Sequence, residues 1–402
     1  MVGPSEWLKY IRKEASSALS KPAPYGPDIN VIEIAGETKK ITTKVNLSRV
    51  EEVGIDLEKA ERAAFFFQLD DAVLKALSRL PGVEIRPLME YVNSDFEEAQ
   101  KFVWSAVSPS TDKYTAIAAL RGTGGYFVRV KPRVRVEDPI QTCFYMAGKA
   151  LQAPHNVMVL EEGAKATIIT GCTIMPEVAG LHAGITEVYV KKGARLNYIM
   201  VHAWNKVAHV RPRTVVKLHE GAEVVSYYMN LSTVKTLQTY PKYYILGDAG
   251  KVYSASIVLG RSDSVLDVGA EVVLDGDGVA EIISRFMVRD EARAWARARI
   301  SGSSGKGHIE CKGLILSDHA ELYSIPELGG LGAGATLTHE ASIGKVAEEE
   351  ILYLMSKGFT REEAEEIIVR GFMSVEIKGV TPKIRAYIAN VLKLMSKRTL
   401  RG

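Results

Sequence analysis

Cysteine is scarce and scattered in this 402-residue chain: Cys143, Cys172 and Cys311 stand far apart, with no CxxC pair. That excludes a disulfide framework and a single-chain site of four cysteine ligands, and it fits a reducing, cytoplasmic setting. Long apolar runs are missing as well. No segment reaches the ~20 apolar residues of a membrane helix, and the opening MVGPSEWLKYIRKEASSALS carries charges throughout with no signal-peptide core, so a cytoplasmic protein without membrane contact is expected. Neither sign of charge is in excess. Lys+Arg 51 against Asp+Glu 48 gives a net +3, too balanced for a nucleic-acid surface. A phosphate loop is lacking too: GTGGYF has neither the Lys nor the following helix of GxxxxGK[ST], so this chain is expected to bind no nucleotide. Asn and Gln are scarce beside Glu, Lys and Arg, a bias of heat-adapted proteins. What remains, 47% hydrophobic and 25% charged residues, is the composition of a globular protein with a sizeable core.

Three regions follow from the patterning. Residues 1–108 read as an N-terminal helical region. Trp7, Leu8, Ile11, Ala15 and Leu19 recur at helical spacing, Asp56 is a candidate N-cap for a long helix closed by Pro81-Gly82, and a shorter helix is expected from Asp95 to Val107. From about Asp112 the chain alternates apolar and polar residues and is rich in Val, Tyr and Phe, so residues 109–342 read as a β-rich core. Within it a phrase recurs: EEGAKATIIT, KKGARLNYIM, HEGAEVVSYY, GDAGKVYSAS and DVGAEVVLDG. Its glycines are Gly163, Gly193, Gly221, Gly250 and Gly269, at spacings of 30, 28, 29 and 19. A turn and strand repeated at that period predict a β-helix whose coils stack at about 4.8 Å, with a β-sandwich as the alternative. Residues 343–402 read as helical again. They hold a Thr360/Glu363 capping box, a Thr381-Pro382 helix start, and two apolar stripes, Ile351, Leu352, Leu354, Met355 and Ile367, Ile368, Phe372, that cover one another or present a partner site.

Chemistry concentrates in GHIECKGLILSDHAELYSIPELGGLGAGATLTHE, which gathers Cys311, His308, His319, His339 and Glu340. Cys311 and His339 are 28 residues apart, so an unbroken period places them at equivalent points of neighbouring coils, close enough to share a metal or small cluster. Thiolate with imidazole and carboxylate suits iron or zinc, and an incomplete set of this kind suits a carrier that must release its cluster. Cys143 reads as a buried structural residue, whereas Cys172 sits near His182. Paired acids such as Asp263 with Asp267, or Asp275 with Asp277, allow a polysaccharide-active β-helix enzyme in principle, but they cluster at turns, where solvated carboxylates are ordinary.

Four blocks carry a family resemblance: GYFVRVKPRVRVEDPIQ, ITGCTIMPEVAGLHAGITEVYVKKGARLNYIMVHAWN, GKGHIECKGLILSDHAELYSIPELGG and THEASIGKVAEEEILYLMSKGFTREEAEEIIVRGF. They resemble the SufB/SufD family of iron-sulfur cluster assembly scaffolds. The resemblance implies a right-handed parallel β-helix between helical regions, a non-enzymatic scaffold role, and C-terminal helices that dock the SufC ATPase. The docking positions would be Ile351, Leu354, Met355, Ile367, Ile368 and Phe372. It further implies a transient iron-sulfur cluster held by Cys311, Glu340 and His339, at an interface with a second copy or a SufB/SufD-type paralogue. Cys172 would receive sulfur from a donor protein, with Trp204 and His202 along its route, and a reduced flavin would take part in the complex. The chain departs from the SufB pattern at His202, where SufB has Gln, at Phe144 to Ala147, which lack its Arg and Asn, and near Val215, where SufB has Lys. A SufD-like structural partner without its own cluster is therefore the alternative.

Overall fold

A computed structural model describes residues 3–36, 46–58 and 63–400, with side chains to residue 395. Its core is a parallel β-solenoid of about eight turns with helices at the ends. Strands Lys165–Ile174, Arg195–Ala203, Glu223–Asn230, Lys251–Gly260, Val279–Val288, Arg293–Ile315 and Glu321–Lys345 stack in parallel, each on the last. The recurring glycine phrase is the corner of this stack. Gly163, Gly193 and Gly221 have φ of 68°, 61° and 63°, the left-handed region that costs glycine no Cβ clash, and their N–H groups donate to the carbonyls of Lys192, Glu220 and Asp248 on the next coil. At the following corner Ala249 (φ 58°), not Gly250, takes that place. Gly269 lies within the strand Val265–Leu274, opposite Arg297, where a Cβ would meet the Arg297 carbonyl oxygen at 2.2 Å.

The alternating residues make two environments. One face of each strand turns into the lumen and is filled, from Ile140, Ile168 and Tyr198 through Ser226 and Ser254 to Ile282 and Ile309. The other face is solvated or covered by the terminal regions.

Three expectations fail in the N-terminal part. The helix expected between Asp56 and Pro81 is instead a hairpin, Ala64–Leu69 with Ala72–Ser78, although residues 59–62 of that stretch lie outside the described residues. Its first strand also pairs in parallel with Ile140–Met146, so the stack begins inside residues 1–108. Spacings of three and four in this alanine- and leucine-rich text fit both structures, and the partner strand decides, burying Phe65, Phe66 and Phe67. Between Asp95 and Val107 only Phe96–Ala99 is helical, and Trp104 beyond it takes a left-handed turn (φ 57°). Conversely, the first residues of the expected strand region form a helix, Lys113–Arg121, capped by a reciprocal Asp112/Thr115 box.

The C-terminal helices are Glu348–Ser356, Arg361–Phe372, with the Thr360/Glu363 box in place, and Pro382–Leu400. The connecting segment is pinned to the outer solenoid wall. Lys378 pairs with Glu281 at 2.6 Å, and the Tyr253 hydroxyl donates to the Glu376 carbonyl at 2.8 Å. The last helix buries Ile384, Ile388 and Val391, and Tyr387 reaches the Val53 carbonyl. No helix among the described residues is long and apolar enough to cross a membrane.

Candidate functional site

Two inward columns organise the lumen. Strand register stacks Phe144, Cys172, His202, Asn230, Val258 and Phe286 on successive coils. Beside them run Thr142, Thr170, Met200, Tyr228, Ser256, Ser284 and Cys311. Cys172 and Cys311 thus face one interior, five coil spacings apart, or about 24 Å at about 4.8 Å per coil.

Around Cys172 the lumen is aromatic and basic in character but uncharged. The His182 ring lies 6.2 Å from that of Phe144 and 6.4 Å from that of His202, and Trp204 stands 5.0 and 5.2 Å from the two imidazoles. His202 Nδ1 is 3.0 Å from the Tyr228 hydroxyl, while its Nε2 and the Trp204 Nε1 are buried without a hydrogen-bond partner among the described residues. Burial raises the Cys172 thiol well above its ordinary pKa, and the buried Cys143 thiol adds to this. Burial also lowers both histidines, His182 to about 3 and His202 well below 6.5. The structure therefore brings Cys172, His202 and Trp204 together. Further along, Tyr198, Met200, Ser226, Tyr228, Ser254 and Ser256 line a cavity of about 30 Å³, enough for ordered water, between the two cysteines.

These neutral histidines make stability pH-dependent. As pH falls below 6.5 the unfolded chain takes up protons that folded His182 and His202 refuse. Their contribution is thus complete above pH 6.5 and is lost as pH falls towards about 3 for His182, at about 1.4 kcal/mol per pH unit for each histidine. In urea denaturation at about pH 7 and about pH 5, His182→Gln is expected to flatten the loss by about 2 kcal/mol. An unchanged slope would reject this account.

At the far end Cys311 is 1% exposed, and its thiol is raised by burial despite the Ser284 and Ser324 hydroxyls beside it. His339 does not occupy the equivalent place on the next coil. The offset is 28 residues at Gly302↔Gly330 but 30 from Ser304↔Gly334 onwards, since a bulge adds two residues, and Cys311 pairs with Ala341 while Ile309 pairs with His339. Both still face inward, one coil and two residues apart. Glu340 faces outward on a regular strand, next to Glu310, so no bulge turns it to the Cys311 side. The outward group is instead His308, Glu310 and Glu340, with ligand atoms within 4.8 Å of one another. Strand alternation and a period of 30 would have revealed it. His319 lies outside both groups.

The last strand, Glu321–Lys345, is the open end. Among the described residues nothing pairs with its outer edge, and Leu331, His339 and Ile343 are exposed. Of the six helix positions read as a docking stripe, Ile351 is buried, Leu354, Ile367, Ile368 and Phe372 are half-buried, and Met355 is exposed. Leu352, Tyr353 and Phe359, of which the latter two were not singled out in the sequence, form the exposed apolar surface with it.

The SufBD core domain of the SUF system for FeS cluster assembly matches residues 144–372. An iron-sulfur cluster assembly SufBD family protein of Methanothermobacter thermautotrophicus is 39% identical over 408 residues, covering 97% of this chain and 99% of its own. Relatives of the same description come from Archaeoglobus fulgidus, 38% identical over 92% of this chain and 99% of theirs, and from Pyrococcus horikoshii, 30% identical over 90% and 81%. With most of the solenoid, its phrase-bearing corners and both inward cysteines inside the matched span, the chain belongs to the SufBD family of iron-sulfur cluster assembly proteins.

Proposed function

We propose that this protein is a scaffold subunit of the SUF machinery that accepts sulfur at Cys172, passes it through the solenoid lumen, and builds a transient iron-sulfur cluster at Cys311. The observation that carries the reading is the shared lumen: both cysteines point into it, and a hydroxyl-lined cavity lies between them. Cys172 rests as a thiol, whereas attack on the outer sulfur of a donor's persulfide needs a thiolate. The buried His202 imidazole resists protonation, so the Cys172 proton passes to the donor's departing thiolate in the exchange. The donor's thiolate leaves as Cys172 gains the sulfur, and release of that persulfide sulfur as the sulfide of a cluster takes two electrons, which a reduced flavin in the complex would supply.

Cys311 supplies one thiolate and His339, on the same face, an imidazole. The remaining ligands come from a second copy, or a SufB/SufD-type paralogue, pairing at the open edge. An unpaired edge of 25 residues is a template for such an addition. Glu340 enters the set only if pairing turns the last strand, or from the partner's side. The reading is tested by anaerobic reconstitution of the chain with SufC, iron and sulfide, recording the visible spectrum and the mass in solution. A dimeric species with cluster absorption supports it. A well-folded complex without a cluster makes the chain a SufD-like structural partner.

The exposed surface of Leu352, Tyr353, Met355 and Phe359 is the proposed SufC contact. Tyr353→Asp together with Phe359→Asp is expected to weaken SufC binding at least tenfold by calorimetry, about 1.4 kcal/mol, with unchanged thermal melting. Unaltered binding would move the contact elsewhere.

A further inference from the structure

The outer wall of the last two coils carries His308, Glu310 and Glu340 with no role in the cysteine-lined lumen. We infer that these three residues form a divalent-cation site that holds ferrous iron on the opposite face of the strand from Cys311. The identity of the cation rests on the scaffold reading; the site itself does not.

Strand geometry assembles the group. His308 and Glu310 are two residues apart and so share the outward face, and Glu340 is the register partner of Glu310 on the next coil. One imidazole nitrogen and two carboxylates, all within 4.8 Å, are a donor set that suits Fe(II), Mn(II) or Zn(II). The imidazole is oriented for this. His308 Nδ1 is 2.8 Å from the Thr338 hydroxyl, whose own hydrogen points to the Gly307 carbonyl at 3.4 Å. Thr338 then accepts from Nδ1–H, and Nε2 is left with its lone pair free, the arrangement found behind metal-bound histidines.

The carboxylates are already held together by a cation. Lys312 Nζ lies 3.4 Å from Glu310 and 3.6 Å from Glu340, and Arg285 pairs with Glu310 from the other side. Arg285 neutralises Glu310 alone whereas Lys312 bridges both carboxylates, so a divalent ion must displace Lys312, which, a third exposed, has room to swing into solvent. Lys312 is therefore the displaceable occupant, and iron binding and the lysine contact exclude each other. Cys311, between Glu310 and Lys312 in the chain, faces the lumen, so iron and sulfur approach the same strand from opposite sides.

The probe is Mn²⁺ alone, added to the full chain without iron or sulfide and followed by loss of the free-ion paramagnetic resonance signal. One saturable site per chain is expected. Glu310→Gln and His308→Ala should each weaken it at least tenfold, Cys311→Ala should leave it unchanged, and Lys312→Met should tighten it about tenfold by removing the competing charge. The lysine variant guards against loss from misfolding, because it predicts a gain. Absence of saturable binding to the wild type, indifference to Glu310→Gln or Lys312→Met, or loss in Cys311→Ala overturns the site. Cluster assembly on Cys311 without Mn²⁺ binding would remove this site and keep the scaffold reading. Mn²⁺ binding with no cluster would do the reverse.

Discussion

Cys311→Ala abolishes cluster absorption in the reconstituted complex, whereas Cys172→Ala abolishes it only when sulfur is delivered by a donor protein and not when free sulfide is supplied. This is the expected pair of results, with at least a tenfold loss in each affected arm. The asymmetry follows from position. Cys311 lies on the last coil but one, beneath the open edge at which the proposed second chain pairs, and as a proposed cluster ligand its thiolate is replaced by no sulfur source. Cys172 lies about 24 Å deeper, among Phe144, His182 and His202, and its proposed role is that of a relay. Both substitutions remove one sulfur from a packed interior, a change that costs about 1–2 kcal/mol in a large core, so the fold survives to be assayed. Cluster formation by Cys311→Ala at the wild-type level would reject the assignment of that ligand. Equal loss in Cys172→Ala with free sulfide would make Cys172 structural or a ligand and end the relay.

The largest effect on stability is expected at a residue with no part in that chemistry. Glu187 is fully buried on the strand Ile185–Val190. Its carboxylate accepts from the backbone N–H groups of Trp104, Ala106 and Val107 at 2.6, 2.6 and 3.0 Å, and its Oε2 lies 2.7 Å from His155 Nε2. One side chain thus ties the N-terminal loop to the solenoid. It also sustains the left-handed Trp104, whose indole stands edge-on at 4.4 Å from the His155 ring. Glu187→Ala leaves one buried and two part-buried N–H groups without their acceptor, and at about 1–3 kcal/mol for each the loss should reach about 3–5 kcal/mol after partial relaxation. Denaturant unfolding measures this, and limited proteolysis should find new cleavage between residues 94 and 112. Glu187→Gln keeps one acceptor oxygen and should recover part of the loss. A change under about 1 kcal/mol for the alanine variant would mean that the loop is held by its apolar contacts alone.

Local text and tertiary context contributed unequally. The Gly163, Gly193 and Gly221 phrases disclosed the solenoid, because a corner that needs a positive φ at every turn repeats its glycine at the coil length. The Thr360/Glu363 box disclosed a helix start for a similarly local reason. The stretch from Ala64 to Ser78 misled, since its apolar spacing serves a helix and a hairpin alike, and the strand Ile140–Met146, some seventy residues away, settles the matter by pairing with it. Met355 remained exposed while Ile351 was buried, because which side of the stripe faces the solenoid depends on the angle at which the helix returns.

The sequence by itself determined the period, which is written in the spacing of its glycine phrase, and the family, which four blocks of text resemble, and it offered candidate residues for the chemistry. Tertiary structure alone decided which of those residues meet. A bulge of two residues after Gly302 moves His339 out of line with Cys311, and the pleat then sends Cys311 inward and Glu340 outward to join His308 and Glu310. Side-chain direction in a strand has a period of two, and rung matching has the period of a coil whose length varies from turn to turn. Neither is fixed until the backbone hydrogen bonds of neighbouring coils set the register.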